Sequence, residues 1–188
     1  MTRHLLHGLH WAPPQRRLRS ALDARLRRWL LDPASLTRRL QQACPGRFRV
    51  RLEFQGWARP LLDEAQALGM APRQLALIRE VHLLCDERPW VFARTVIPRR
   101  TLSGPQRRLA RLGERPLGAF LFADPGMRRE PVEIAAIPRG TLTWAHAVEG
   151  LERPPAQVWG RRSVFRLGGK PLLVSEIFLP GVSGCGEG

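Results

Sequence analysis

The sequence predicts an α+β fold, a single domain on an antiparallel sheet of about six strands with helices before and among them. Three observations point to it. Residues 47–55 alternate cleanly between apolar and polar side chains, the mark of a half-exposed antiparallel strand. Two pairs of apolar runs are joined by short turn sequences, Asp86-Glu87-Arg88-Pro89 and Gly168-Gly169-Lys170, and each pair reads as a hairpin. No strand–helix alternation suggests a parallel, Rossmann-type unit.

Residues 1–14 read as a loose N-terminal arm, broken by Pro13-Pro14. Leu18, Leu22, Leu26, Trp29 and Leu30 recur at helical spacing among arginines and predict an amphipathic helix over roughly 16–31. Asp32-Pro33 has the form of an N-cap followed by proline at the first helical position, opening a second helix that Cys44-Pro45-Gly46 ends. In the strand at 47–55, Phe48, Val50, Leu52 and Phe54 face one way. Residues 75–85 form the next strand and Trp90 to Ile97 its hairpin partner. Ser103 or Gly104 then caps a helix to about Leu112, stopped by Gly113. Arg115 to Ala123 is a short helix by the spacing of Leu117, Phe120 and Leu121, and Pro131 to Ile137 a strand. Residues 138–156 look like an inserted excursion with one helical turn near Trp144 to Val148. Gln157 to Leu167 and Pro171 to Leu179 form the last hairpin. The main domain thus covers 15–180, and 181–188 is a glycine-rich tail.

At 188 residues and 44% hydrophobic, the chain suits one globular domain with a sizeable core. Its formal charge of +15 invites a nucleic-acid reading. That reading is discounted. Lys170 is the sole lysine, so the charge is almost all arginine, a pattern that coding bias in a GC-rich genome can produce by itself. The arginines are scattered, with no basic run interleaved with stacking aromatics. A basic surface still draws in small anions. Cys44, Cys85 and Cys185 are odd in number and far apart, so neither a disulfide framework nor a zinc site is expected, which suits a reducing cytoplasm. Neither a signal peptide nor an integral membrane segment is read from the sequence; the apolar stretch Pro116 to Ala123 is far too short to span a bilayer.

Two charges break the apolar pattern. Glu176 shares a strand face with Leu172, Val174 and Phe178, and Arg79 shares one with Leu75, Leu77, Val81 and Leu83. Both therefore point inward, where an unpaired charge is costly. Glu80 and His82 fall on the outward side, and His82 reads as a surface histidine. An inward Arg and an inward Glu line a closed pocket for a small anionic or polar ligand, or else form a structural buried ion pair. Other candidates carry less. His4, His7 and His10 lie in the arm, where no scaffold fixes a metal. Gly181, Gly184 and Gly186 have no following helix to carry a phosphate site. In Trp159-Gly160-Arg161-Arg162-Ser163 the arginines are better read as exposed, though one could reach a ligand. Leu36 and Leu117, in isolation, are plain packing residues.

Taken in order, several segments become specific: Arg79-Glu80; Cys85-Asp86-Glu87-Arg88-Pro89-Trp90; Arg94-Thr95-Val96-Ile97-Pro98; Thr101-Leu102-Ser103-Gly104-Pro105; Pro116 to Phe122; Trp159 to Ser163; Gly169-Lys170-Pro171-Leu172-Leu173; and Glu176-Ile177-Phe178-Leu179-Pro180. Over roughly residues 25–180 the chain resembles the bacterial chorismate lyases of ubiquinone biosynthesis, with the order of segments rather than any one of them carrying the likeness. The resemblance implies a lyase that converts chorismate to 4-hydroxybenzoate and pyruvate with no metal or organic cofactor. It also implies a sheet whose helical flaps close over a sealed pocket. Arg79 would pair with the ring carboxylate, Glu176 would face the ring hydroxyl, and the backbone amides of Leu117 and Leu36 would complete the carboxylate site. Leu36 stands where the family commonly has methionine, a swap that keeps volume and leaves a main-chain contact intact. The excursion at 138–156 is longer than the family pattern leads one to expect. Expected partners are this substrate and product, with no nucleic acid, in a cytoplasmic monomer. The alternative is a non-catalytic small-molecule-sensing domain, since the same fold resembles the effector domains of some bacterial regulators.

Overall fold

The computed structural model describes residues 9–14, 22–71 and 73–183. Its elements, in chain order, are helices α1 (Ala24–Leu31) and α2 (Leu36–Ala43), strand β1 (Phe48–Ala58), helix α3 (Leu62–Ala67), and strands β2 (Ala76–Cys85) and β3 (Arg88–Pro98). Two 3-10 segments follow, Arg99–Thr101 and Gly104–Arg111, then helix α4 (Leu117–Phe122). Strands β4 (Arg128–Arg129) and β5 (Glu133–Pro138), helix α5 (Leu142–Ala147), strands β6 (Gln157–Leu167) and β7 (Lys170–Phe178), and helix α6 (Pro180–Ser183) complete it. The expected α+β class holds, with seven strands in one antiparallel sheet ordered β1-β2-β3-β7-β6-β4, and β5 also pairing β6.

The centre of the sheet is covered on both faces. Every residue of β2 is buried, which overturns the reading of Glu80 and His82 as outward groups. One face carries Leu77, Val174, Phe165 and Leu172 against Leu109, Leu117 and Leu121 of the segments folded over it. The other face packs Ile78, Val96 and Leu173 against α3. On that second face, charge is satisfied internally. Arg94 bonds Glu64 through Nε at 2.7 Å and Glu80 through Nη1 at 2.5 Å, and His146 of α5 meets Glu80 at 3.0 Å. His82 bridges Glu53 at 2.7 Å and the Ala147 carbonyl at 3.0 Å. The sequence pattern could not show that α5, inside the excursion, would cover these groups.

Several local expectations are corrected. Asp32 ends α1 rather than opening α2; its Oδ1 accepts from Ala34 N, an Asx-type turn, and Ser35 occupies the N-cap position. The part of the expected first helix from 16 to 21 lies outside the described residues. Phe54 does not face inward with Val50: a bulge between Leu52 and Phe54 shifts the register, and Phe54 is 42% exposed. Residues 104–111 form a 3-10 rather than an α-helix.

The arm is docked in part. Trp11 is buried and Ala12 bridges Ile134, while His4 and His7 lie outside the described residues and His10 is exposed. The tail begins as α6, with Val182 buried and Gly181 pressed against Trp90; residues 184–188, including Cys185, lie outside the described residues. Cys44 and Cys85 form a disulfide across 41 residues, tying the end of α2 to the end of β2 and overturning the expectation that no disulfide occurs. Neither cysteine carried a spacing signal, because the pairing depends on where the sheet delivers Cys85.

Candidate active site

The sheet fixes where the two inward charges stand. Arg79 pairs with Thr95 and Glu176 with Ala93, so they sit on β2 and β7 with β3 between them. Two strand spacings and two residues of stagger place their Cα atoms roughly 12 Å apart. Their side chains are not bonded to each other among the described residues. They line one cavity of about 50 Å3, floored by Val81, Ala93, Thr95 and Val174. One water needs only about 10–15 Å3.

Arg79 is 2% exposed. Its Nε and Nη2 donate to the Gly113 carbonyl at 3.1 and 2.8 Å, and Nη2 also to the Arg115 carbonyl at 2.9 Å. No carboxylate pairs with it among the described residues. Burial therefore pushes its pKa down to about 10, which still leaves it charged at neutral pH. Carbonyl dipoles orient the guanidinium without neutralising it, so a bound anion would supply the missing countercharge.

Glu176 is different. It pairs across the hairpin with Arg161, whose Nε donates to Glu176 Oε2 at 2.5 Å. Arg161 Nη1 donates to the carbonyls of Trp29 and Asp32, so this arginine also holds the end of α1. Among the described residues Glu176 Oε1 has no donor, which leaves it to accept from a guest. The expectation of exposed arginines at 161 and 162 is overturned: Arg161 is 1% exposed and Arg162 is 8% exposed, the latter facing Asp63 and Glu133 on the opposite side of the sheet.

The cover consists of two helix starts. Leu36 begins α2 and Leu117 begins α4, and both residues line the cavity. First-turn amides have no intrahelical acceptor, so these positions offer free N–H groups by their place in the helix. The two helices touch at Gly118, where an added Cβ would lie 3.1 Å from Ser35 Oγ and 3.2 Å from Thr37 Oγ1. The absence of a side chain there lets the two covers close on each other. The excursion lies away from this cover, since α5 bonds Glu80 and His82 on the other face.

The structure thus brings all four candidates, Arg79, Glu176, Leu36 and Leu117, to one cavity. It adds two residues not singled out from sequence, Thr95 and Arg129. Among the described residues no group of three or more His, Cys, Asp or Glu could hold a metal ion. No described helix is long and apolar enough to cross a membrane.

Comparison with known proteins bears on this cavity. Residues 5–183 match the family described as chorismate lyase. A probable chorismate pyruvate-lyase of Azoarcus sp. (strain BH72) is 45% identical over 186 residues, covering 96% of each chain. One from Methylococcus capsulatus is 47% identical over 154 residues, covering 82% of this chain and 94% of its own. Among solved structures, the C-terminal domain of the histidine utilization repressor from Pseudomonas syringae pv. tomato superposes with a TM-score of 0.56 at 14% identity, covering 76% of this chain and 97% of that one. A GntR-family regulator from Bacillus cereus gives 0.52 at 12%, covering 71% and 92%. Those regulators share the fold only, so the sensing alternative is not favoured.

Proposed function

The chain belongs to the chorismate lyase family, a lyase converting chorismate to 4-hydroxybenzoate and pyruvate, and we propose that Arg79, Glu176 and the amides of Leu36 and Leu117 carry the reaction. The supporting observation is that, among the described residues, a buried cation without a carboxylate partner and a carboxylate with one oxygen unbonded line the same cavity without touching. Arg79 and the two amides take the ring carboxylate; the planar guanidinium suits that bidentate role better than an ammonium would. Glu176 Oε1 accepts a hydrogen bond from the ring hydroxyl.

The chemistry asks little of the protein beyond position. Breaking the ether C–O bond and removing the hydrogen on the adjacent hydroxyl-bearing ring carbon aromatises the ring. The side-chain methylene carbon gains a hydrogen and becomes the methyl group of pyruvate. Holding that methylene over the ring hydrogen contributes several kcal/mol, up to ~7–11 in ideal intramolecular cases. The cover over the cavity excludes water while this happens. Pyruvate release from chorismate, coupled to a pyruvate-consuming dehydrogenase, tests the reading. Wild type should release it, and an Arg79→Ala chain that released it at the wild-type rate would overturn the site.

The same proposal takes the protein as a cytoplasmic monomer feeding ubiquinone synthesis. Sedimentation tests the oligomeric state. Cell fractionation tests the compartment: the protein should appear in the cytosolic fraction, and recovery from an oxidising compartment, which the Cys44–Cys85 disulfide would suit, would overturn that part of the proposal.

A further inference from the structure

Chorismate carries two carboxylates, and Arg79 accounts for one. We infer that Arg129 binds the second, the carboxylate of the enolpyruvyl side chain, and thereby separates substrate from product. This rests on the reading of the cavity as a chorismate site.

Sheet register carries the argument. Arg79, Thr95, Val174 and Ser163 form one continuous row across β2, β3, β7 and β6. Ser163 Oγ accepts from Arg129 Nε at 3.0 Å, so the Arg129 side chain lies over the far end of that row. By strand spacing the two ends are roughly 14 Å apart at the backbone. The cavity lies between, and Arg129 lines it. Two arginines therefore face one cavity from opposite ends, as a guest with an anionic group at each end requires.

Arg129 is also the available arginine at that end. Arg161 has its Nε on Glu176 and its Nη1 on two carbonyls. Arg129 Nη1 donates to the Pro33 carbonyl at 3.1 Å, and its guanidinium lies 5.3 Å from the Phe165 ring centroid. It has no carboxylate hydrogen-bond partner among the described residues. Burial, together with the neighbouring Arg161 charge, holds its pKa below the ordinary arginine value, as expected for a cation awaiting an anion. Ser163, which holds Arg129, stands two residues along β6 from Arg161, the partner of Glu176, so Arg129 belongs to the hydroxyl end of the guest. In chorismate the ether carbon adjoins the hydroxyl-bearing carbon, so the side-chain carboxylate emerges at that same end. The product keeps its ring carboxylate but has lost this second one.

The test compares KM for chorismate with the inhibition constant of 4-hydroxybenzoate in the purified full chain. Arg129→Gln should raise KM by about 10- to 100-fold, the worth of a hydrogen bond to a charged group. It should leave product inhibition within about twofold, because the product does not reach Arg129. Arg129→Lys should recover part of the loss. Ser163→Ala, which removes only the aiming contact, should raise KM by a few fold with no change in product inhibition. If KM and the inhibition constant rise together, or KM does not move, Arg129 only ties Pro33 to the sheet and the inference is wrong. An Arg129→Gln chain that does not fold leaves the lysine and Ser163 variants to decide by the same split. Failure of the underlying reading looks different: wild type releases no pyruvate, or Arg79→Ala leaves both constants unchanged.

Discussion

Arg79 is a cation oriented by carbonyl oxygens and neutralised by none of them. Arg79→Ala should keep the fold, because the fixed sheet and not this side chain sets the register. Turnover should fall by at least about 30-fold, the effect of removing one partner from a buried charge pair. A pH series should show kcat/KM level around neutrality and falling above about pH 10, where Arg79 loses its proton. The sign follows from the shift. A base whose folded pKa is lowered is charged below that value and neutral above it, so anion binding is lost on the alkaline side. A profile still level well above pH 10 would place the guanidinium elsewhere. Arg79 and Glu176 were legible because each broke a strand pattern. Arg161 was not, for a reason of one residue. Treating Gly168-Gly169-Lys170 as the whole turn pairs Glu176 with Arg162. The turn is Gly168-Gly169 alone, at φ +57° and +79°, which pairs Glu176 with Arg161 and sends Arg162 to the other face. Arg129 stood in a stretch too short and irregular to show any period.

At the scale of elements, the hairpins and the helix starts at Leu36 and Leu117 decide how the cavity closes. Gly118→Val should hold the two covers apart, since a β-branched side chain must displace Ser35 and Thr37. The expected loss in kcat/KM is on the order of 10- to 100-fold, as for a small misplacement of a positioning group. Inhibition by 4-hydroxybenzoate should weaken with it. Unchanged kinetics would show that this contact does not close the cover. The hairpin between β2 and β3 carries a different cost. Asp86 and Glu87 sit at φ 47° and 62°, where residues with a Cβ are strained. Glu87→Gly should therefore raise the unfolding free energy by about 1 kcal/mol in urea. The exposed Arg49–Glu87 pair that it removes contributes little. Alternation and turn residues revealed these hairpins, and the same alternation failed at the Leu52–Phe54 bulge, where an inserted residue reverses the pattern.

Across the whole molecule, the sheet buries charge on both faces for opposite purposes. The cavity face leaves Arg79 and Arg129 without carboxylate hydrogen-bond partners among the described residues. The opposite face closes its buried arginines on neighbouring carboxylates: Arg94 on Glu64 and Glu80, and Arg162 on Asp63 and Glu133. Burial alone would lower the pKa of Arg94, yet the hydrogen bonds and charges of Glu64 and Glu80 hold it above the ordinary arginine value. Arg94→Leu would strand two carboxylates beneath α3 and α5, so unfolding free energy should drop by about 3–5 kcal/mol. Substituting Glu64→Gln and Glu80→Gln in the same chain should recover much of that, because neutral amides no longer require the cation. Through all of these changes KM for chorismate should stay near its wild-type value, since none of the three side chains lines the cavity. A KM that followed stability downward or upward would mean that the two faces are mechanically coupled through β2 and β3, and that the cavity's shape depends on the ion pairs behind it.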